Sequence, residues 1–386
     1  MLAALALLSA LALTVAAPAG AGATPLSTRA MWIWELGQSN GGSPASIISR
    51  ARHHGIHTLI IKSGDGSSVW SQFSRGLVAR LHAAHERVCA WQYVYGNYPV
   101  AEAQVGAAAV SHGANCLIID AESEYEGKYI SAQTYIRTLR GLIGSHFPVG
   151  LAGFPYVDYH PGFPYSVFLG PGGAQYNVPQ MYWYDIGTSV DRVYAHTYAF
   201  NRIYRRAIFP LGQITGPPPK ADVRRFRAVA RAYHAGGVSW WDWQEGSAAD
   251  WSAVSEPLPA LGAFVPDTAY ATLGQRARGD LVVWAQEHLV GAGQPIPIDG
   301  NFGAETLTAV KRFQAAHGLL VDGLIGTATW RALLRYAPAP VRWTSGGARV
   351  ALARGGAQPV PKSATLPAKA DELRGPSGAG SPGTHK

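Results

Sequence analysis

Cysteine and charged residues are scarce in this sequence. Two cysteines among 386 residues exclude a disulfide-rich scaffold and a cysteine-rich zinc module. Charged residues make up 15% of the chain, below the roughly 25% of an average soluble domain, which excludes a coiled coil and an acidic tail protein. The sequence contains neither a run of lysines and arginines nor a nucleic-acid-binding motif, so nucleic acid is not an expected partner.

Apolar and aromatic residues are abundant by contrast. Hydrophobic residues are 47% of the chain, with 12 Trp and 18 Tyr, which is enough for a sizeable core and excludes wholesale disorder. A length of 386 residues suggests two domains. The formal net charge is +8, and residues 345–386 hold six basic and two acidic side chains. A diffuse positive charge favours an anionic partner such as a cell wall. We also expect the protein to be a monomer.

The amino terminus is typical of an export signal. Residues 2–17 are an unbroken apolar run, and Ala21-Gly22-Ala23 follows as a small-residue cleavage site. No Lys or Arg precedes Arg29, so the terminal amine supplies the positive charge. The alternative is an uncleaved membrane anchor, for which the run is barely long enough. We predict a signal peptide over residues 1–23 and a secreted or wall-located protein without stable membrane insertion.

Eight short apolar runs divide residues 30–245, and their starts are about thirty residues apart. Turn residues bound each run, as expected for buried strands, and helical patterns lie between most of them. This alternation predicts an α/β fold, a (β/α)8 TIM barrel over residues 28–262. Its fifth helix is the weakest, because residues 155–177 look like a long loop. The runs are 31–34, 58–62, 88–94, 116–120, 149–154, 178–184, 207–211 and 237–243.

Residues 273–337 have a different character and contain an internal repeat. DGNFGAETLTAV at 299–310 and DGLIGTATWRAL at 322–333 lie 23 residues apart, and each reads as an Asp-Gly turn leading into a helix. This predicts a small all-α module of three helices. Residues 338–386 are rich in Gly, Pro, Ala and Ser and predict a disordered basic tail.

The module resembles the peptidoglycan-binding domain 1 family. The resemblance implies a non-catalytic domain that anchors the protein to the wall. Glycines of the pattern supply turns and its apolar residues form a core, so the pattern marks the fold rather than a ligand surface. The matching residues are Gln286, Leu289, Asp299, Gly300, Phe302, Gly303, Thr306, Ala309, Val310, Phe313, Gln314, Gly318, Leu319, Asp322, Gly323, Gly326, Thr329, Trp330 and Leu333.

In TIM barrels the active site lies at the carboxyl-terminal ends of the strands. Asp120 and Glu122 are two residues apart at the end of the fourth run, and strand alternation puts them on the same side. Two close carboxylates raise one pKa, which provides a general acid beside an ionised partner. The alternative is a solvated acidic loop, since DAESEYEG holds four carboxylates in seven positions. Predicted substrate-binding residues at this mouth are Lys62, Asp65, Trp34, Tyr93, Tyr156, Gln180, Tyr182, Tyr184, Trp241 and Trp243.

The barrel is similar, at motif level, to glycoside hydrolase family 25 lysozymes. LIIKSGDG matches the family's stretch at Lys62, Asp65 and Gly66, and IIDAE matches it at Asp120 and Glu122. The resemblance implies that Glu122 is the general acid, that Asp120 is its electrostatic partner, and that the N-acetylmuramic acid to N-acetylglucosamine bond is cleaved. The family's first strand carries an aspartate, which MWIWEL does not contain.

The missing aspartate leaves the second catalytic group open. Glu35 is the nearest carboxylate, and Asp242 or an acetamido group of the substrate are the alternatives. The first functional hypothesis is a secreted muramidase-type glycoside hydrolase without metal or cofactor. The second is a non-catalytic glycan-binding protein with a degenerate barrel, and the third is a hydrolase of another secreted polysaccharide. Cys89 and Cys116 begin neighbouring strands and are either a disulfide or two buried thiols.

Overall fold

The computed structural model describes residues 24–350. The predicted signal peptide and residues 351–386 of the predicted tail therefore lie outside the described residues. The strands are β1 (Arg29–Ile33), β2 (Thr58–Asp65), β3 (Ser68–Val69), β4 (Arg87–Val94), β5 (Cys116–Ala121), β6 (Val149–Ala152), β7 (Tyr176–Asn177), β8 (Ala207–Ile208), β9 (Leu211–Gln213), β10 (Val238–Trp241), β11 (Val341–Thr344) and β12 (Gly347–Val350).

Helices alternate with the first ten strands and then form the module. Ser43 illustrates the local signals, because its side chain accepts from the Ser46 N–H and caps a helix that Pro44 begins. The helices are α1 (Pro44–His53), α2 (Arg75–Ala83), α3 (Pro99–Ser111), α4 (Tyr129–Ile143), α5 (Tyr165–Phe168), α6 (Val190–Asn201), α7 (Lys220–Ala232), α8 (Ala248–Ala253), α9 (Asp280–Gly291), α10 (Ala304–Ala316) and α11 (Thr327–Leu333).

The parallel sheet closes into a barrel. Its strands follow the order β8-β7-β6-β5-β4-β2-β1-β10-β9. Strands β8 and β9 are two pieces of one barrel strand, which is interrupted at Pro210 because proline has no N–H to donate. The Phe209 N–H donates to Asn177 O at 2.8 Å, and the Met181 N–H donates to Leu211 O at 2.7 Å. The two ends of the sheet thus belong to the same barrel strand. The sheet therefore closes with eight barrel strands, which confirms the predicted α/β barrel.

Alternate residues of the strands fill the barrel interior. Trp32, Trp91 and Ile118 belong to one buried cluster, whereas their strand neighbours pack outward against the helices in a second cluster. Cys89 and Cys116 are register partners on β4 and β5 inside the barrel. They form a disulfide, which decides between the two alternatives that the sequence left open.

Each repeat of the C-terminal module is held by a buried glutamine. The Gln286 side chain accepts from the N–H groups of Asp299 and Gly300 and donates to Asp299 Oδ1. Gln314 does the same for the second turn, accepting from the Gly323 N–H and donating to Asp322 Oδ1. The predicted Asp-Gly turns and three-helix module are therefore confirmed, and these two matching residues of the family pattern are structural.

The first helix of the module also completes the barrel. In place of a full fifth helix the chain has α5, which spans four residues. Helix α9 packs over it, with the Trp284 indole donating to Ile203 O at 3.1 Å. Residues 280–289 of α9 are buried without interruption, since one face meets the module and another meets the barrel. Trp284 and Leu289 accordingly share one hydrophobic core with the barrel's outer layer.

The prediction of disorder from residue 338 is wrong for residues 341–350. Strands β11 and β12 pair there as an antiparallel hairpin. Trp343 is buried against the Tyr129 ring, with centroids 4.1 Å apart, and Gln133 of α4 donates to Val341 O and accepts from the Trp343 N–H. The burial of Trp343 against the barrel stabilises the hairpin, although the sequence around it is rich in glycine.

Candidate active site

Two carboxylates and one amide meet at the carboxyl end of the barrel. Asp120 lies two residues after the inward-facing Ile118 of β5, so its side chain enters the mouth. Glu122 follows immediately after the strand. Gln180, which comes after β7, donates from the same Nε2 to Asp120 Oδ1 and to Glu122 Oε1, at 3.0 Å each. The pair that the sequence singled out is therefore bridged by a residue predicted to bind substrate.

Burial raises the pKa of both carboxyls. Asp120 is 6% exposed, and burial followed by the charge of Glu122 holds its pKa well above the usual range. The ammonium of Lys62 and the amide of Gln180 act in the opposite direction. Glu122 is half-buried, and burial raises its pKa too. Because two close carboxylates resist joint ionisation, the pair favours holding one proton.

Lys62 lies inside the mouth and is already paired. Its ammonium is 2.6 Å from Asp65 Oδ2, and the Tyr95 hydroxyl donates to Asp65 Oδ1 at 2.8 Å. The ammonium also lies 4.3 Å from the centroid of the Trp70 ring and 4.9 Å from that of Trp91, a cation–π arrangement. These contacts fix Lys62 in place, and its charge partly offsets that of Asp120.

Aromatic side chains surround the carboxylates. Trp34 and Trp241 are half-buried and stacked, with centroids 6.3 Å apart and planes 29° apart. Tyr182 is so placed that burial and the charges of Asp120, Glu122 and Asp242 all raise its pKa. The Tyr93 hydroxyl donates to Glu124 Oε2 at 2.9 Å. Flat apolar rings with polar edges are suited to stacking on sugar rings.

Two of the predicted substrate-binding residues are buried in side-chain packing, and a third lies at the rim of the mouth. Trp243 is 1% exposed and packs outward on Trp251, donating its indole N–H to Asn40, so the prediction that it binds substrate is wrong. Strand β10 ends at Trp241, and alternation no longer applies beyond it. Tyr156 is buried, and its ring stacks on that of His196 with centroids 3.9 Å apart. Its role is therefore to pack against His196. Tyr184 lies at the rim and is 46% exposed.

Asp242 is fully buried. Its Oδ1 accepts from the Glu245 N–H at 3.2 Å, and its Oδ2 has no partner. Burial and then the charge of Glu245 raise its pKa to about 7. Its role as a second catalytic group therefore stays a prediction. Glu35 faces its own turn, where Gln38 approaches it at 3.5 Å.

His160 lies in the segment 155–177 that the sequence predicts as a long loop, and in the structure it is near enough for its charge to act on Glu122. Its Nδ1 lies 2.8 Å from Glu126 Oε1, and its ring stacks on Phe154 at 3.4 Å. Its charge lowers the pKa of Glu122, against the effect of burial. Trp70 and Glu124 are further mouth residues that sequence reasoning missed. Trp70 follows the short hairpin strand β3, for which no signal was recognised.

Comparison with protein families identifies the C-terminal module. Residues 278–333 match the family model described as "Putative peptidoglycan binding domain". The match confirms the resemblance seen in the sequence, and it covers the peptidoglycan-binding module alone.

Two curated relatives match about one fifth of the chain each. The zinc D-Ala-D-Ala carboxypeptidase of Streptomyces albus G is 37% identical over 89 residues, which are 20% of this chain and 35% of that protein. An uncharacterized protein of the bpoA1 3′ region of Kitasatospora aureofaciens is 37% identical over 84 residues, 21% of this chain and 70% of its own. This chain thus spans about a third of the carboxypeptidase's length.

One solved structure aligns with more than half of the chain, at low similarity. A fungal endo-beta-N-acetylglucosaminidase of glycosyl hydrolase family 18 aligns with 59% of this chain and 95% of its own, at 14% identity and a TM-score of 0.43. A likeness at this level does not assign a function.

Residues 24–350 lack two kinds of feature. No helix in this range is long and apolar enough to cross a membrane. Nor does any group of three or more His, Cys, Asp or Glu side chains there have the arrangement of a metal site.

Proposed function

We propose that the protein is a cell-wall glycoside hydrolase that cleaves peptidoglycan glycan strands in the manner of a muramidase. The observation that supports this most is the Asp120–Glu122 pair, joined by the Gln180 amide at the carboxyl end of the barrel. A protonated carboxyl beside an ionised one is the group that glycosidic cleavage requires. The surrounding Trp and Tyr rings provide stacking surfaces for pyranose rings.

Glu122 is the proposed general acid. It is the more exposed of the two carboxyls, so it can reach a glycosidic oxygen, while Asp120 lies deeper, beside Lys62. Glu122 gives its proton to the departing glycosidic oxygen as the bond between that oxygen and the anomeric carbon breaks, and Asp120, ionised throughout, stabilises the oxocarbenium-like transition state by its charge. Because Asp242 is fully buried, the acetamido oxygen of the substrate is the proposed nucleophile.

The peptidoglycan-binding module supports the choice of substrate. Its family match covers residues 278–333, and a wall-binding domain fused to the barrel raises the local concentration of glycan at the mouth. We further propose that residues 1–23 direct export and are removed. Sequencing the amino terminus of the secreted protein tests this: a mature chain that begins at Thr24 is expected, and one that retains the apolar run contradicts it.

The activity is tested by muropeptide and reducing-end release from purified peptidoglycan. We expect release by the parent and at least ~10³-fold less by Glu122→Gln, which keeps the shape but has no proton to donate. Glu305→Gln, in the first turn of α10, is the matched control and should behave as the parent. Equal release by parent and Glu122→Gln would show that the site is wrong.

One observation favours a second function, a wall-binding protein with an inactive barrel. After β1, Trp34 takes the inward position that follows Trp32, and residues 31–36 (MWIWEL) contain no aspartate. This candidate predicts that parent and Glu122→Gln both sediment with peptidoglycan while neither releases sugar. The same assay therefore separates the two.

A further inference from the structure

The peptidoglycan-binding module contacts the mouth of the barrel through one loop. Residues 155–164 follow β6 at the carboxyl end of the sheet and include Tyr159 and His160. The N–H of Asp280, at the start of α9, donates to Pro161 O at 2.8 Å. Gly279 has a φ of +102°, and a Cβ on it would lie 2.5 Å from Pro161 Cβ and O. Only glycine permits this approach without displacing the loop.

The Asp280 side chain fixes the segment that follows the loop. It is fully buried and accepts four hydrogen bonds, from the N–H of Ser166 at 2.9 Å and from the hydroxyls of Ser166, Tyr204 and Tyr129 at 2.6, 2.8 and 3.0 Å. Charge-assisted bonds of this kind are among the strongest in proteins. The module therefore holds the middle of the loop at Pro161 and also the segment that follows the loop, at Ser166 of α5.

The loop in turn holds the chain that follows Glu122. The Gly127 N–H donates to Gly162 O at 2.8 Å, and His160 Nδ1 lies 2.8 Å from Glu126 Oε1. The Tyr125 N–H donates to Glu122 O at 2.9 Å. A continuous set of short contacts thus leads from α9, through Pro161 and Gly162, to the turn that carries the proposed acid.

We propose that Gly279 and Asp280 of the module are positioning residues of the active site, which act through the 155–164 loop on Glu122. This inference rests on the proposed function. It gives the module a second task besides retaining the protein on the wall. Cleavage of a glycan too short to reach the module's own surface then still depends on the module.

The test uses full-length variants and a tetrasaccharide of alternating N-acetylglucosamine and N-acetylmuramic acid without stem peptides. We expect Gly279→Ala and Asp280→Asn to lower kcat/KM for this substrate about 10- to 100-fold, the cost of misplacing a reacting group. Amide hydrogen exchange of residues 155–164 should accelerate in both. Sedimentation with intact peptidoglycan should stay as in the parent.

Gln133→Ala is the matched control, because it breaks two hydrogen bonds between α4 and the hairpin that follows the module, without touching the loop. It should leave turnover and loop exchange unchanged. Turnover and loop exchange equal to the control in both test variants would overturn the proposal, as would equal losses in all three. Asp280→Asn keeps the test valid if Gly279→Ala does not fold. If the parent has no turnover, the proposed function fails, and loop exchange alone decides whether the module positions the loop.

Discussion

Two buried acidic sites in this molecule differ in how completely their oxygens are hydrogen-bonded. Asp280, between module and barrel, accepts from three hydroxyls and one N–H. At the mouth, Asp120 and Glu122 share a single amide donor, that of Gln180. A fully bonded carboxylate rigidifies its surroundings, whereas an underbonded pair keeps a proton that it can transfer. The first arrangement is suited to holding two units together and the second to chemistry.

Electrostatics gives the same contrast. Burial raises the pKa of Asp280 to about 6, and its four donors oppose that rise. At the mouth, burial and mutual repulsion act together on Asp120, opposed by Lys62 and one donor. Asp242 is a third case, with one N–H donor, a free Oδ2 and a pKa of about 7. The number of donors therefore distinguishes Asp280, which accepts four hydrogen bonds, from the underbonded Asp120, Glu122 and Asp242.

The largest expected effect is that of removing the module. A chain ending at residue 262 exposes the barrel surface that α9 covers, including Tyr204 and the partners of Trp284. We expect it to aggregate, because an uncovered apolar face of this kind is not stable in water. A chain ending at residue 350 is the control and should melt cooperatively. Soluble yield and thermal unfolding by circular dichroism measure both.

A cooperative melt of the shorter chain, close to that of the control, would contradict this view. It would show that barrel and module are independent units despite their common core.

Substituting the two kinds of acid should change the free energy of unfolding by very different amounts. Asp280→Ala leaves three hydroxyls and one N–H without an acceptor, and we expect a loss of about 3 kcal/mol in the free energy of unfolding. Glu122→Gln removes a charge that burial disfavours, and we expect a change within about 1 kcal/mol. Urea unfolding of both variants beside the parent is the measurement. Equal losses would remove the distinction between them.

The barrel could be predicted because its strands are buried on both faces. Continuous apolar runs such as CLIID at 116–120 mark such strands regardless of context. Asp120 followed from alternation within β5, which is a local property. Gln180 was predicted as a mouth residue, but its bonds to both carboxylates join strands sixty residues apart, and no local pattern encodes them.

What the sequence did not show depends on tertiary packing. Nothing local indicates that α9 replaces most of a fifth barrel helix, although its run of Leu281, Val282, Val283, Trp284 and Ala285 is apolar all round, as in a helix buried on every side. The error at Trp243 arose because the apolar run 237–243 was taken as a strand to its end, whereas β10 ends at Trp241. The hairpin at 341–350 was not predicted, because the glycine-rich composition of this segment is typical of disorder.

Asp242 should make stability depend on pH. Its folded pKa of about 7 lies above the roughly 3.9 of an unfolded aspartate. The stability from the protonated form is therefore complete below about pH 4 and is lost as the pH rises through 7. Asp242→Asn should remove this slope and stabilise the protein by on the order of 2–4 kcal/mol at pH 8. Urea midpoints at pH 5 and pH 8 measure it, and an unchanged slope would rule out a buried, protonated Asp242.

The smallest expected effect concerns the donor that the two mouth carboxylates share. Gln180→Met keeps the volume but donates no hydrogen bond, so the pKa values of Asp120 and Glu122 should rise further. The alkaline limb of the activity profile should move to higher pH, with about a tenfold loss in kcat/KM, or ~1.4 kcal/mol. The free energy of unfolding measured in urea should be nearly unchanged, because the substitution removes only one hydrogen-bond donor. A profile that keeps its shape while activity falls would mean that Gln180 binds substrate, as the sequence predicted, and does not tune the acids.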